Sequence, residues 1–146
     1  MDVNINSIKS LIKQGRLCEA QALAQKALKV SPEDKTLIES YVLILNRSGA
    51  SDKALEILSP IFNPETASEN QFGLMGRIYK NLCSCYKDPK MALKSAETYE
   101  EGFRKLNSYY LGINAATMHA IAGNLEVSQE IANRVIDLCL MEDPNY

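Results

Sequence analysis

The sequence predicts an all-α fold of about four helix–turn–helix repeats, about eight helices in all, and three observations carry that prediction. Small and apolar residues recur at a spacing of 34, apolar residues between those marks fall at three- and four-residue steps, and Gly and Pro stand where such helices must stop. The spacing is read by subtraction: Leu11 to Leu45, Gly15 to Gly49, Ala20 to Ala54, Ile38 to Phe72, Val42 to Gly76 and Leu45 to Tyr79 are each 34 apart. Six positions in one register point to a repeat array, in which each unit buries its apolar side against its neighbour. A single domain over the 146 residues is expected, with repeats at about 1–34, 35–67, 68–107 and 108–141.

Each repeat reads as two amphipathic stretches around a short break. Gly15, Gly49 and Gly123 occupy such breaks, where a helix has to end in a turn and Gly enters the left-handed region without a Cβ penalty. Pro32, Pro64 and Pro89 mark borders between helices. Pro60 interrupts the second helix of repeat two, and its missing donor and ring clash cost about 3 kcal/mol in a helix interior, so that helix is expected to end near Leu58. Residues 63–68 then read as a longer linker, with Ser68 as the N-cap of the helix that carries Phe72. The third repeat is longer: Ala54 to Ser95 spans 41, seven more than 34, so residues 83–90 are expected to extend a helix end and form a loop. Beyond it the register resumes at 33, from Ser95 to Ser128, Tyr99 to Ala132 and Gly102 to Val135. The small residues Ala20, Ala54 and Gly76 predict places where helix backbones approach closely.

These positions carry a family resemblance. Phe72, Met75-Gly76 and Tyr79 follow the first half of the tetratricopeptide pattern, while Ala20, Ala27 and Pro32, then Ala54 and Leu58, follow its second half. The chain therefore resembles a tetratricopeptide repeat protein. That resemblance implies a right-handed superhelix in which the first helix of each repeat lines a concave groove. Residues 75–80 (Met-Gly-Arg-Ile-Tyr-Lys), followed by the insertion, and residues 110–115 (Tyr-Leu-Gly-Ile-Asn-Ala) are similar to the regulatory, TRAF-binding repeats of apoptosis signal-regulating kinases and their bacterial relatives. This narrower resemblance covers residues 72–135 and implies a regulatory scaffold, normally joined to an effector domain, that docks partners in stress or defence signalling. The chain is accordingly expected to be a domain excised from a longer protein.

The register places Lys9 and Lys13, Asn46 and Arg47, Arg77, Lys80 and Asn81, and Tyr110 at inward positions of the first helices. Five of these are cations, so the expected partner is a protein or peptide with acidic or phosphorylated groups. A chaperone-tail carboxylate clamp fits poorly, because Ile5 stands where that pattern wants Lys and Lys9 where it wants Asn. A secretion-type chaperone that shields an export substrate is the alternative function, since it would use the same groove.

Other functions find little in the sequence. A formal charge of −2, from 16 basic and 18 acidic side chains, gives no field to draw nucleic acid or anionic lipid. No apolar run approaches the roughly 18 residues of a membrane span, and Met1-Asp2-Val3-Asn4 lacks the basic start of a secretory signal, which predicts a cytoplasmic setting. Cys18, Cys83, Cys85 and Cys139 read as reduced core residues, and no second pair accompanies Cys83 and Cys85 to build a zinc site. His119, the only histidine, reads as a structural residue on a core helix, and neither a Cys-His dyad nor a phosphate loop is discernible. No enzyme, cofactor or metal is therefore expected. Glu100-Glu101 read as solvated surface; Tyr109 is expected to pack and Tyr110 to anchor a peptide. The terminal helix, from Leu125 to about Leu140, carries Ile131, Val135, Leu138 and Cys139, which predicts cover from a second copy or an adjoining domain.

Overall fold

A computed structural model describes residues 4–142 and builds eight α-helices from them, with no strand among the described residues. They are α1 (Ile5–Lys13), α2 (Leu17–Val30), α3 (Lys35–Arg47), α4 (Ser51–Leu58), α5 (Glu69–Tyr86), α6 (Pro89–Leu106), α7 (Tyr109–Ile121) and α8 (Leu125–Glu142). The segments 1–3 and 143–146, on which the leader and chain-end expectations rest, lie outside the described residues.

Local chemistry sets the helix borders. Asn4, Asp34, Ser68, Asp88 and Ser108 cap α1, α3, α5, α6 and α7, each side chain accepting from a backbone N–H of the first turn. Ser68 forms a full capping box with Gln71, as its position before the Phe72 helix suggested. The breaks at Gly15, Gly49 and Gly123 have φ of +73°, +86° and +88°, the left-handed turn expected between the two helices of a repeat. Helix α4 stops at Leu58, two residues before Pro60. The insertion in repeat three lengthens α5 to 18 residues and ends in the turn Lys87-Asp88, with Pro89 in the first turn of α6.

The helices gather into two compact units, one up to Phe62 and one from Asn63. The helix stop at Pro60 and the linker beginning at Asn63 coincide with that division. In the first unit, α1 packs on α2 and α3, and α3 on α2 and α4. Its core joins Ile8 and Ile12 to Ala20, Ala24, Ala27, Leu37 and Ile44, so the small side chains of α2 let larger ones of α1 and α3 close over it. In the second unit, α5 packs on α6 and α7, and α7 on α6 and α8. First helices thus touch their successors, α1 with α3 and α5 with α7, which is how a helical repeat stacks.

Glycines let the helices of the second unit come close. A Cβ on Gly76 would lie 2.6 Å from the Tyr99 ring, one on Gly102 2.7 Å from Phe72, and one on Gly112 2.5 Å from Val135. Ser95 Oγ donates to the Gly76 carbonyl at 2.7 Å, and Ser128 Oγ does the same to the Ala116 carbonyl, also at 2.7 Å. These two bonds give the 33-residue register a physical meaning: in α6 and in α8, a serine is locked onto the first helix of its own repeat. At the linker, Lys105 Nζ donates to the Pro64 carbonyl and pairs with Glu65, tying residues 64–65 to α6.

Gly76→Ala would gain about 1 kcal/mol in an open helix through propensity alone, whereas here it should lower stability by about 1–3 kcal/mol through the Tyr99 clash. Urea denaturation measures this, and an unchanged or higher midpoint would show that the ring gives way. Lys87 holds φ at +51° without a glycine's freedom, so Lys87→Gly should raise stability by up to about 1 kcal/mol in the same assay.

Candidate functional site

Four of the eight residues assigned to a partner groove by register lie in each unit. In the first, Lys9 and Lys13 are exposed one turn apart on α1, and Arg47 is exposed in the last turn of α3. None of the three forms an ion pair among the described residues. Asn46 departs from its expected role: it is 2% exposed, and its Oδ1 accepts from Ser51 Oγ at 2.6 Å, bracing the turn between α3 and α4. Its neighbour Arg47 lies on the solvent side because adjacent helical residues point about 100° apart.

In the second unit the structure brings Arg77 and Tyr110 together. The Tyr110 ring lies against α5 at Gly73, where a Cβ would come within 3.1 Å of it. Arg77 Nη2 then donates to the Tyr110 hydroxyl at 3.4 Å. Beneath them, Tyr99 Oη donates to the Gly73 carbonyl at 3.5 Å. Burial pushes the Tyr99 phenol well above its ordinary range, with Tyr110 adding to the rise and Arg77 opposing it. Lys80 and Asn81 are half-buried one turn further along α5. Neither Arg77 nor Lys80 pairs with a carboxylate among the described residues, so both remain available to an incoming anion.

Tyr109 does not pack as expected, and the ring that packs is that of Tyr110. Tyr109 is 51% exposed, while the Tyr110 hydroxyl still meets Arg77. Tyr109 begins a solvent-facing side of α7 that continues through Ile113, Thr117, Ala120 and Ile121, with Ile113 and Ile121 at 52% and 58% exposure. No Asp, Glu, Lys or Arg occurs anywhere in α7.

Three further expectations are corrected by burial. The cysteines are not core residues: Cys18, Cys85 and Cys139 are exposed, Cys83 is intermediate and all four are free thiols. Glu100 is not solvated surface. Its Oε2 lies 2.6 Å from Nε2 of the buried His119, and its Oε1 accepts from Arg104 Nε at 2.9 Å, which joins α6 to α7. On α8, Ile131 and Val135 are buried and Leu138 is half-buried, while Cys139 is exposed together with Leu125, Ile136, Leu140 and Met141. A cleft of ≈ 250 Å³ lined by Phe103, Asn107, Arg134, Asp137, Leu138 and Met141 lies between α6 and α8, with Arg134 over the Phe103 ring. Among the described residues, no group of three or more His, Cys, Asp or Glu is placed to hold a metal ion, and no helix is long and apolar enough to cross a membrane.

Stacked helix pairs, close-approach glycines and exposed first-helix faces define the class: a helical-repeat protein of the tetratricopeptide type, a fold of protein–protein interaction modules. The model of the family described as Tetratricopeptide Repeats-Sensor matches residues 16–119, and the chain belongs to that family. Mitogen-activated protein kinase kinase kinase 15 of Mus musculus is 31% identical over 99 residues, covering 62% of this chain and 7% of the kinase. That relative bears out the resemblance to apoptosis signal-regulating kinases drawn from residues 75–80 and 110–115. The chain thus spans a small fraction of the curated relative's length. Among solved structures, MamA (41-end) from Desulfovibrio magneticus RS-1 superposes with a TM-score of 0.80 at 16% identity, covering 95% of this chain and 75% of that one.

The Glu100 cluster has a pH signature. Burial alone would raise the Glu100 carboxyl, but the hydrogen bonds from His119 and Arg104 outweigh it and hold the group below its ordinary value of 4.5. A lowered folded-state value means the carboxylate contributes stability above pH 4.5, and this contribution fades as the pH falls through the folded value. Glu100→Gln should therefore cost about 1–3 kcal/mol at neutral pH. The gap between variant and wild type should narrow below pH 4.5. Denaturation curves from pH 7 to pH 3 check both, and a gap that widens on acidification would reverse the assignment.

Proposed function

We propose that this chain is a regulatory scaffold that holds a peptide or partner helix of another protein on the faces of its first helices, and that it serves stress or defence signalling. The observation that carries the reading is the α5/α7 face: unpaired cations on one helix beside an exposed, uncharged side of the next. Such a face offers directional anchors and apolar area without catalytic groups, so the action proposed is binding, with no cofactor or metal. The mouse protein supports the signalling context, because it is a mitogen-activated protein kinase kinase kinase and the chain aligns with a small part of it. On the first unit, taken by itself, Lys9, Lys13 and Arg47 are proposed as contacts of their own; on the second, Asn81 lies beside Lys80, and Asn46 serves the α3–α4 turn. Four free cysteines support a cytoplasmic setting, and the slightly negative net charge argues against nucleic acid as partner.

A shielding chaperone would draw on the same apolar exposure of α7 but would not need the cations, so charge reversal separates the two readings. Arg47→Glu, Arg77→Glu and Lys80→Glu, combined in one chain with an unchanged circular dichroism spectrum, should lose the partner that the wild type captures from its source lysate. Equal capture by both proteins would move binding away from these faces. The exposed apolar side of α8 is proposed as a contact for a second copy or an adjoining domain. Light scattering should then show self-association of the isolated chain that Ile136→Glu abolishes, and a clean monomer at high concentration would remove the second copy.

A further inference from the structure

Resting on the scaffold reading, we infer that the α5/α7 face of the second unit selects an amphipathic segment that presents an acidic side chain to Arg77 and Lys80 and apolar side chains to Ile113 and Ile121.

Charge is the first argument. After Glu69 in its first turn, α5 carries only two charged residues, Arg77 and Lys80, and these fall three positions apart on one side of the helix. Neither has a carboxylate partner within the described residues. Arg77 is oriented by the Tyr110 hydroxyl through one long bond, which leaves most of its five donors for a planar, bidentate acceptor. Tyr110 itself is fixed by its ring on Gly73, so the pair is ordered before a ligand arrives.

Register is the second argument. The N-caps Ser68 and Ser108 show that α5 and α7 correspond at a shift of 40, which aligns Tyr109 with Glu69, Ile113 with Gly73, Thr117 with Arg77 and Ile121 with Asn81. Of these α5 positions, 69, 77 and 81 are polar and two of the three are charged; α7 carries no charge at any of them, and Tyr109, Ile113 and Ile121 are large and mostly apolar. Repeat packing does not demand this, because the side chains face solvent. What remains is an apolar strip beside a cationic one, the complement of an amphipathic acidic segment rather than of a uniformly acidic or uniformly apolar one.

The test is a library of random 16-residue peptides, as displayed probes, selected on the full chain and then measured individually by fluorescence anisotropy at low salt. Selected peptides should combine Asp or Glu with Leu, Ile, Phe or Met about one turn away. Arg77→Gln and, separately, the surface change Ile113→Asp should each weaken them about tenfold, with melting curves showing both variants folded. Lys26→Glu, an exposed position on α2 outside the proposed binding set, should leave them unchanged. Peptides rich in Lys and Arg would overturn the inference. So would acidic peptides that ignore Arg77→Gln and Ile113→Asp but are lost with Lys13→Glu, an outcome that leaves the scaffold reading standing on the first unit. If no peptide is selected and the charge-reversed chain also captures the same lysate partner as the wild type, the inference and the first-helix reading fall together.

Discussion

The closeness with which a second helix crosses the first helix of its own repeat governs the rest of this structure. At Gly76 the missing side chain admits the Tyr99 ring, and Ser95 fastens the crossing by bonding to the Gly76 carbonyl. Since the bond goes to a carbonyl that already serves the helix, it adds a contact without breaking the ladder. Short separation then lets Gly102 nest against Phe72 and Leu111. That nesting positions α7 so that Tyr110 reaches back to Gly73 and Arg77. The face proposed to bind a partner is thus a consequence of packing two layers below it.

Fold features that depend on backbone chemistry were readable in the sequence. Positive φ at Gly15, Gly49 and Gly123, the end of α4 before Pro60 and the cap at Ser68 each follow from one residue's stereochemistry and need no knowledge of neighbours. The small residues at 34-residue spacing were readable for a related reason, because a close crossing excludes everything larger. The place where the two units divide was readable as well, at the linker after Pro60, because a proline stop and a polar stretch interrupt helix stacking there.

Site residues were legible only where exposure follows from helical phase. Lys9, Lys13 and Arg47 lie at the surface as their phase requires, but Asn46 sits one position from Arg47 and turns inward to Ser51. Amides and carboxylates are ambiguous in this respect: a buried partner makes them core residues and its absence makes them surface. Glu100 shows the same ambiguity, because the two groups that hold it are Arg104, four residues away, and His119, nineteen residues away on another helix. The first was within reach of an i,i+4 reading; the second required the fold. Tyr109 and Tyr110 are adjacent, so which of them packs depends on a rotation of α7 that its composition leaves undetermined: with no charge along the helix, no side of it is marked for solvent.

Exposed apolar surface therefore has two origins in this chain. On α8, Ile136 stands 33 residues after Phe103, and Phe103 is 3% exposed beneath α7 while Ile136 is 55% exposed. Its hydrophobicity is what the repeat register requires of a position that another helix covers, so it reports on stacking and says nothing specific about a ligand. On α7, Ile121 corresponds to a polar residue of α5, and no repeat contact requires it to be apolar. Only the second kind of exposure departs from the architecture, and a departure with no structural use is the better guide to where a partner is recognised.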